Sequence, residues 1–220
     1  SFSFCTGFYM PEDTLPKLLK KNAEKFGDQK IAMRVKDRGI WQHFTWKDYY
    51  EKVKYFSLGL ISLGMGKGDK VAILGENKPE IFWAELGVQS AGGTAVDIYT
   101  DCTPPEVKFF VTDSDSVFVV AHDQEQVDKI LQIKKDLPKV KKVIYWDPKG
   151  LWNYDDPILI SFPEVIQLGQ SYEKDHPGLF EENVEKATGD EIALLSYTSG
   201  TTGLPKGAMI LQKGLVAIAG

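Results

Sequence analysis

A polar segment near the end of the chain, SYTSGTTGLPKGAM at residues 196–209, combines residue types that bind anions. Gly200 and Gly203 allow backbone N–H groups to converge on a cluster of oxygen atoms. The Ser and Thr hydroxyls add donors, and Lys206 adds a positive charge suited to phosphate. The segment directly follows EIALL, an apolar run typical of a buried strand. We therefore expect a phosphate-binding loop at the end of a core strand.

Two common phosphate-loop patterns do not describe this segment. The pattern G-x-x-x-x-G-K-[ST] fails because Pro205 precedes Lys206 and Gly207 follows it. The pattern G-x-G-x-x-G does not occur in the chain. A flexible surface turn is the alternative interpretation, since Gly and Thr are common in turns. The position of the whole segment after a core strand favours a ligand-binding loop of another kind.

Short apolar, β-branched runs alternate with helix signals along the chain, which predicts a doubly wound α/β fold with a mostly parallel sheet. The predicted strands are 70–74, 93–98, 117–121, 142–146 and 192–197. The predicted helices are 46–63, 79–91, 104–114, 124–136 and 162–168. Thr45 indicates the start of one helix. Four other starts are indicated by a capping residue that is followed three positions later by Glu or Gln. These pairs are Asn77 with Glu80, Thr103 with Glu106, Asp123 with Gln126, and Ser161 with Glu164.

The N-terminal part is predicted to contain a helix at 14–26 and a β-hairpin around DRG in KIAMRVKDRGIWQHFTW. The region 147–190 is rich in Pro, Gly and acidic residues, which indicates a surface connection. We therefore divide the chain into an N-terminal tail at 1–13, a first α/β subdomain at 14–185, and the start of a second subdomain at 186–220.

Composition excludes several classes of partner and location. The chain has 220 residues and a net charge of −5, with no basic block of the kind that nucleic-acid binding requires. No apolar run is long enough to span a bilayer, and the first residues lack the pattern of a signal peptide. Cys5 and Cys102 are interpreted as free thiols of a reducing cytoplasm, against a disulfide or metal pair. We expect a cytoplasmic protein and leave peripheral membrane contact and the oligomeric state open.

The segment YTSGTTGLPKGAM resembles the phosphate-loop signature of the adenylate-forming, AMP-binding superfamily, which includes acyl-CoA synthetases, luciferases and non-ribosomal adenylation domains. The block at 45–93, with its "GKGDKVAI" turn into a strand and its "NKPE" helix start, is similar to the first conserved block of that family. The resemblance extends over roughly residues 12–215.

The resemblance implies two half-reactions. A carboxylate attacks the α-phosphorus of MgATP to give an acyl-adenylate and pyrophosphate, and the thiol of coenzyme A then attacks the activated carbonyl. Ser199, Gly200, Thr201, Thr202 and Gly203 would supply donors to the leaving phosphates, and Lys206 would supply charge as the catalytic residue. Thr198 matches a position that can help to hold Mg²⁺, although it could equally cap the strand end.

The chain departs from the family pattern shortly after Lys206. Gln212 stands where many members have His, and Gln cannot titrate near neutral pH. His43, His122 and His176 match no motif of the family and are interpreted as solvated or structurally satisfied. Asp97 ends a predicted strand at the edge where ligand sites cluster, and we assign it a structural role.

The stretch AVDIYTDCTPPEVKFF resembles long-chain fatty acyl-CoA synthetases more than amino-acid adenylation domains. A long-chain fatty acid is therefore the expected substrate. The alternatives are an aromatic, medium-chain or amino acid, or a non-catalytic nucleotide-binding or interaction module. Because the chain lacks an initial Met and stops within the helix expected after the loop, we expect an N-terminal fragment that is inactive alone. A genuinely short protein is the competing interpretation.

Overall fold

A computed structural model describes residues 12–198 and 205–219 of the chain. These residues form a seven-stranded sheet and a separate two-stranded hairpin, flanked by helices. The strands are β1 Ile31–Asp37, β2 Ile40–Thr45, β3 Lys70–Leu74, β4 Thr94–Ile98, β5 Phe118–Ala121, β6 Lys142–Tyr145, β7 Leu159–Ser161, β8 Ile192–Thr198 and β9 Lys206–Leu211. The helices are α1 Leu15–Phe26, α2 Trp46–Ser62, α3 Pro79–Ser90, α4 Pro104–Asp113, α5 Gln124–Ile133, α6 Phe162–Asp175, α7 Leu179–Lys186 and α8 Gln212–Ala219, with a 3-10 turn at Lys134–Asp136.

The seven-stranded sheet has the order β7-β6-β5-β3-β4-β8-β9. All neighbouring strands from β7 to β8 are parallel, and β9 pairs with β8 in the antiparallel sense. The central strands are buried on both faces, which explains their nearly continuous apolar sequences. The predicted doubly wound, mostly parallel α/β fold is confirmed.

Helices cover both faces of the sheet. One core cluster joins one face of the sheet to α2, α3, α6 and α7, and its largest buried side chains include Phe56, Trp83 and Phe180. A second cluster lies on the opposite face, where Val107 and Ile130 belong to α4 and α5. In the described part of the chain, no helix is long and apolar enough to cross a membrane.

Local capping signals identify most of the helix starts correctly. The side chains of Thr45, Asp123 and Ser161 each accept a hydrogen bond from a backbone N–H in the first turn of α2, α5 and α6. Glu106 accepts a bond from the backbone N–H of Thr103 at the start of α4, at 2.7 Å.

The predicted cap at Asn77 is wrong. Pro79 is the first residue of α3, and Lys78, at the N-cap position, forms no capping hydrogen bond through its side chain. Proline favours the first helical position because its φ angle is fixed and it has no N–H to pair. The proline therefore places the cap one residue later than the capping pair predicted.

The predicted hairpin is also present, with a two-residue turn at Arg38 and Gly39. Both residues have positive φ angles, 46° and 84°. Such turns match the right-handed twist of paired strands. The sequence indicated Gly39 for this role, but Arg38 adopts the same left-handed conformation.

The interpretation of 147–190 as a surface connection is wrong, because it contains β7, α6 and α7. The predicted helix at 162–168 continues to Asp175 as α6, which packs closely along α2. A methyl group at Gly169 would overlap the backbone carbonyl of Tyr55, and one at Gly59 would overlap that of Val165. Glycine at both positions therefore lets the two helix backbones approach. The division between residues 185 and 186 stays a prediction.

Candidate functional site

The candidate phosphate loop joins the two strands of an antiparallel hairpin at the edge of the sheet. β8 lies parallel to β4, with Asp97 beside Ser196, and antiparallel to β9, where Thr198 lies opposite Lys206. Ser199, Gly200, Thr201, Thr202 and Gly203 lie outside the described residues. The loop therefore begins at the carboxyl end of a parallel strand, which is where ligands bind in open α/β sheets.

β9 is not among the strands predicted from the sequence. The run KGAMIL forms this strand because it completes backbone hydrogen bonds along the free side of β8. Its apolar residues Ala208 to Leu211 were the available signal, but they follow the loop directly and were not assigned to a strand. The hairpin fixes Thr198 and Lys206 as backbone neighbours across the two strands.

Tyr197 fixes the end of β8. Its side chain lies on the face of the sheet that α4 covers, opposite the face that α3 covers. Its ring packs against Phe110 of α4, with the ring centroids 4.8 Å apart, and its hydroxyl donates to Asp113 Oδ2 at 2.7 Å. Burial raises the pKa of the Tyr197 hydroxyl, and the hydrogen bond and charge of Asp113 raise it further. The hydroxyl therefore stays protonated and donates at physiological pH.

The base of the hairpin is fixed by contacts with β4 and with the start of α1. Thr94 Oγ1 donates to the carbonyl of Ile192 at 2.9 Å, which connects the starts of β4 and β8. Asp13 accepts from the backbone N–H of Gly189 at 2.7 Å, just before β8. Lys17 of α1 donates to both Asp13 and the carbonyl of Ala187. The segment that leads into the hairpin is thus held by the N-terminal end of α1.

Gln212 stands where many members of the family have His. It follows β9 directly and is only 3% exposed. Its Oε1 accepts from the backbone N–H of Leu15 at 3.0 Å, and its Nε2 donates to Gln89 Oε1 at 3.0 Å. Leu15 is the first residue of α1, so its N–H has no partner within the helix. Gln212 therefore caps α1 and connects it with α3, a role that needs no titratable group.

Replacing Gln212 with leucine is expected to lower the free energy of unfolding by roughly 2–4 kcal/mol. The change leaves the N–H of Leu15 and the amide of Gln89 without partners, and each such buried loss costs about 1–3 kcal/mol. Urea unfolding followed by circular dichroism measures the effect. Lys213→Gln is the control, since among the described residues the side chain of Lys213 pairs only with the exposed Asp190. Equal effects of the two changes would contradict the assigned capping role.

Asp97 and Glu85 form an interacting carboxyl pair near β8. Burial, and in smaller part the charge of Asp97, raise the pKa of Glu85 to about 8. Asp97 is an exposed residue of β4, but partial desolvation of its carboxyl group raises the pKa to about 6. Glu85 is not among the candidate residues predicted from the sequence, although it is the only charged residue between Ile81 and Ser90 in a helix that is otherwise largely buried.

The carboxyl pair makes stability depend on pH. Both carboxyl groups bind protons more tightly in the folded chain than in the unfolded chain, so stability is lost as the pH rises between about 4 and about 8. Glu85→Gln is expected to remove much of this loss and to stabilise the protein above pH ~8. Urea unfolding across this range measures the dependence. Glu51→Gln, at an exposed position of α2, is the control; an unchanged dependence in Glu85→Gln would contradict the assignment.

The three histidines lie in separate parts of the described fold. His122 stacks on Trp146 at 4.9 Å between ring centroids, and His176 stacks on Tyr172 at 4.0 Å. His43 is exposed on β2. Among the described residues there is no group of three or more His, Cys, Asp or Glu side chains arranged to hold a metal ion. Cys102 is a free thiol, and Cys5 lies outside the described residues.

Solved structures share this fold. The likeness to the anthranilate CoA ligase AuaEII in complex with anthranoyl-AMP has a TM-score of 0.72 and 22% identity, covering 91% of this chain and 35% of that one. A putative long-chain-fatty-acid CoA ligase from Rhodopseudomonas palustris has a TM-score of 0.73 and 22% identity, covering 93% and 46%.

Curated proteins are similar in sequence. The chain is 33% identical over 202 residues to the long-chain-fatty-acid–CoA ligase ACSBG2 of Xenopus laevis, covering 91% of this chain and 26% of that protein. It is 30% identical over 205 residues to the human long-chain-fatty-acid–CoA ligase ACSBG1, covering 92% and 27%. The chain thus spans about a quarter of the length of these relatives. The family model described as AMP-binding enzyme matches residues 19–220, and the chain therefore belongs to the AMP-binding enzyme family.

Proposed function

We propose that the protein activates a long-chain fatty acid with ATP, through an acyl-adenylate, and transfers the acyl group to coenzyme A. The family match over 19–220 carries this proposal. The curated relatives at 29–33% identity are long-chain-fatty-acid–CoA ligases, which supports the choice of a long-chain fatty acid as the substrate. The hairpin of β8 and β9 supports a nucleotide site, because it begins the loop at the carboxyl edge of the sheet.

In this proposal the chain contributes the part of the site that holds the departing phosphates. In-line displacement at the α-phosphorus needs the β- and γ-phosphates held still and their growing charge met by donors. The hydroxyls of Ser199, Thr201 and Thr202 and the backbone of Gly200 and Gly203 supply neutral donors. Lys206, at the first position of β9, supplies the positive charge.

Thr198 is proposed to help hold Mg²⁺. The hydroxyl oxygen of a threonine suits this role, because Mg²⁺ prefers oxygen ligands. Mg²⁺ is commonly held by few protein groups together with substrate phosphates. The residue ends β8 directly before the loop, so it stands beside the proposed phosphate donors in the chain. A bound Mg²⁺ would supply positive charge to the phosphate oxygens, and the residues of the loop would orient those phosphates.

A substrate panel tests the proposed function. The protein, produced at the length of its relatives, is incubated with ATP, hydroxylamine and one acid at a time, and trapped acyl hydroxamate is measured. We expect the highest rate with fatty acids of about twelve carbons or more, because each buried methylene contributes ~0.8 kcal/mol. Acetate, benzoate and amino acids should react far more slowly. A maximum on benzoate or an amino acid would overturn the choice of substrate, and no acid-dependent product at all would overturn the activity.

A further inference from the structure

Strand β9 forms one edge of the seven-stranded sheet and has an open side. Within residues 12–198 and 205–219, β9 pairs with β8 alone, so the backbone groups on its other side face no strand. Proteins usually shorten, charge or cover such edges, because a free row of N–H and C=O groups can pair with another segment. From Gly207 to Leu211, β9 has neither a charged residue nor a proline. We therefore expect another segment to cover this edge.

An apolar surface reaches the same edge on one face of the sheet. Met209 is 66% exposed, although it lies opposite the buried Leu195 in the hairpin. Leu195 belongs to a cluster with Val96 and Tyr197, against which two phenylalanines of α4 pack. Residues that lie opposite each other in an antiparallel pair point to the same face. Met209 therefore extends this cluster to the open edge, where further apolar side chains would be removed from water.

The described chain begins beside the end of β9. Asp13 accepts a hydrogen bond from the backbone N–H of Gly189 at 2.7 Å, and the backbone N–H of Lys213 donates to the carbonyl of Gly189 at 2.9 Å. A methyl group at Gly189 would lie 3.0 Å from Lys213 Cβ and 3.2 Å from Asp13 Cβ. Residues 1–11 therefore lead to the point where β9 ends. A strand of six residues spans about 20 Å, so a segment of this length can follow the whole of β9.

The sequence of residues 1–11, SFSFCTGFYMP, has the pattern of a strand with one apolar face. The even positions hold Phe2, Phe4, Phe8 and Met10 together with one threonine, whereas the odd positions hold mostly small residues. Such alternation is typical of a strand that is buried on one side. The segment contains no charged residue, and leaving three phenylalanines in water is unfavourable. Its pattern thus matches an edge with one apolar face.

We propose that residues 2–10 form a strand that pairs with the open edge of β9. The added strand runs parallel to β9, because both segments lead to Gly189. Its apolar side chains lie on the face of Met209 and extend the cluster that contains Leu195. Both rows of β9 backbone groups are then paired, and the strand that carries Lys206 is held from two sides. The assignment is independent of the proposed acyl-CoA ligase activity.

The meeting point of the two segments and the apolar pattern together define the register. The segments meet at Asp13 and Lys213, which both lie against Gly189. Counting back four residues from each places position 9 beside position 209, and a shift of one residue places Phe8 beside Met209. The second register applies, because it turns all three phenylalanines to the face of Met209, whereas the first turns them to the opposite face.

Disulfide formation between introduced cysteines tests the proposal in the 220-residue chain. Phe8→Cys is combined with Met209→Cys after Cys5 and Cys102 are replaced by serine. Trp152→Cys replaces Met209→Cys in the control, since Trp152 is 71% exposed and follows β6, which β5, β3 and β4 separate from β8. Under mild oxidation of dilute protein, the first pair should close at least about tenfold faster than the control, because a disulfide needs Cβ atoms about 4 Å apart. Mass spectrometry of digested protein identifies the bond and shows whether it lies within one chain.

Amide hydrogen exchange measured by NMR gives a second readout that needs no cysteines. Phe8→Asp places a charge on the apolar face and should release the added strand. Every second N–H of β9, those that face away from β8, should then exchange at least about tenfold faster, while those bonded to β8 keep their rates. Ser3→Asp, on the other face of the added strand, is the control and should change these rates far less.

Three results would each overturn the proposal. The first is disulfide closure no faster than in the Trp152→Cys control. The second is a disulfide that forms only between two chains, which would indicate that a second copy covers the edge. The third is unchanged exchange of the outward-facing N–H groups of β9 in Phe8→Asp.

Discussion

Replacing Lys206 with alanine is expected to slow adenylation roughly ten- to a hundredfold and to leave thioester formation nearly unchanged. This expectation rests on the proposed function, in which Lys206 contacts the departing phosphates. Loss of a charge-assisted hydrogen bond costs ~1.5–3 kcal/mol, which corresponds to that range of rates. The second half-reaction starts after pyrophosphate has left, so the lysine has no partner in it.

The two half-reactions are measured separately in the protein produced at the length of its relatives. Pyrophosphate–ATP exchange reports adenylation, and a synthetic acyl-adenylate supplied with coenzyme A reports transfer. Lys206→Arg should retain part of the adenylation rate because it keeps the charge. Lys213→Ala, which removes another lysine shortly after the loop, should change neither rate. Equal losses in both half-reactions of Lys206→Ala would show that the change disturbs the fold, and the assignment to phosphate would be wrong.

Replacing Gly169 with alanine is expected to destabilise the protein by about 3 kcal/mol or more. Gly169 lies where α6 crosses α2, and a methyl group there would overlap the carbonyl of Tyr55. Overpacking a well-packed contact costs typically 1–3 kcal/mol, and here the obstacle is backbone, which cannot rotate away. Helix propensity predicts the opposite sign, since alanine is favoured over glycine by about 1 kcal/mol.

The free energy of unfolding in urea decides between these opposed effects. Ser171→Ala is the matched control, because Ser171 lies two residues along the same helix and is exposed. It should change stability by no more than about 0.5 kcal/mol. A Gly169→Ala variant that is as stable as the parent would mean that the two helix backbones are not in close contact, and the described crossing of α2 and α6 would be wrong.

Local sequence signals were sufficient for the fold class and most elements because their physical causes are local. A Thr, Ser or Asp side chain pairs with an N–H only three residues away, as at Thr45 and Ser161, so the sequence contains both partners. Buried parallel strands need apolar, β-branched residues on both faces, which made β3, β4 and β5 evident. The candidate loop was recognised for the same reason, since its donors are adjacent in the chain.

Contacts between distant segments could not be derived in this way. β9 is a strand because the side of β8 away from β4 was available for pairing. The polar, glycine-containing sequence at 147–190 is typical of a surface connection. In the fold it contains α6, and Gly169 lets the backbone of α6 approach that of α2. Gln212 was noted only as a departure from a pattern, and its partners Leu15 and Gln89 are far away in the chain.

The sequence by itself therefore determined the alternation of strands and helices, the family, and the residues of the candidate phosphate loop. Only the tertiary structure decided which strand lies beside β8, what Gln212 binds, and how closely α6 approaches α2 at Gly169. Periodicity and capping depend on neighbours within a few residues, whereas pairing, burial and charge coupling depend on which segments the folded chain brings together.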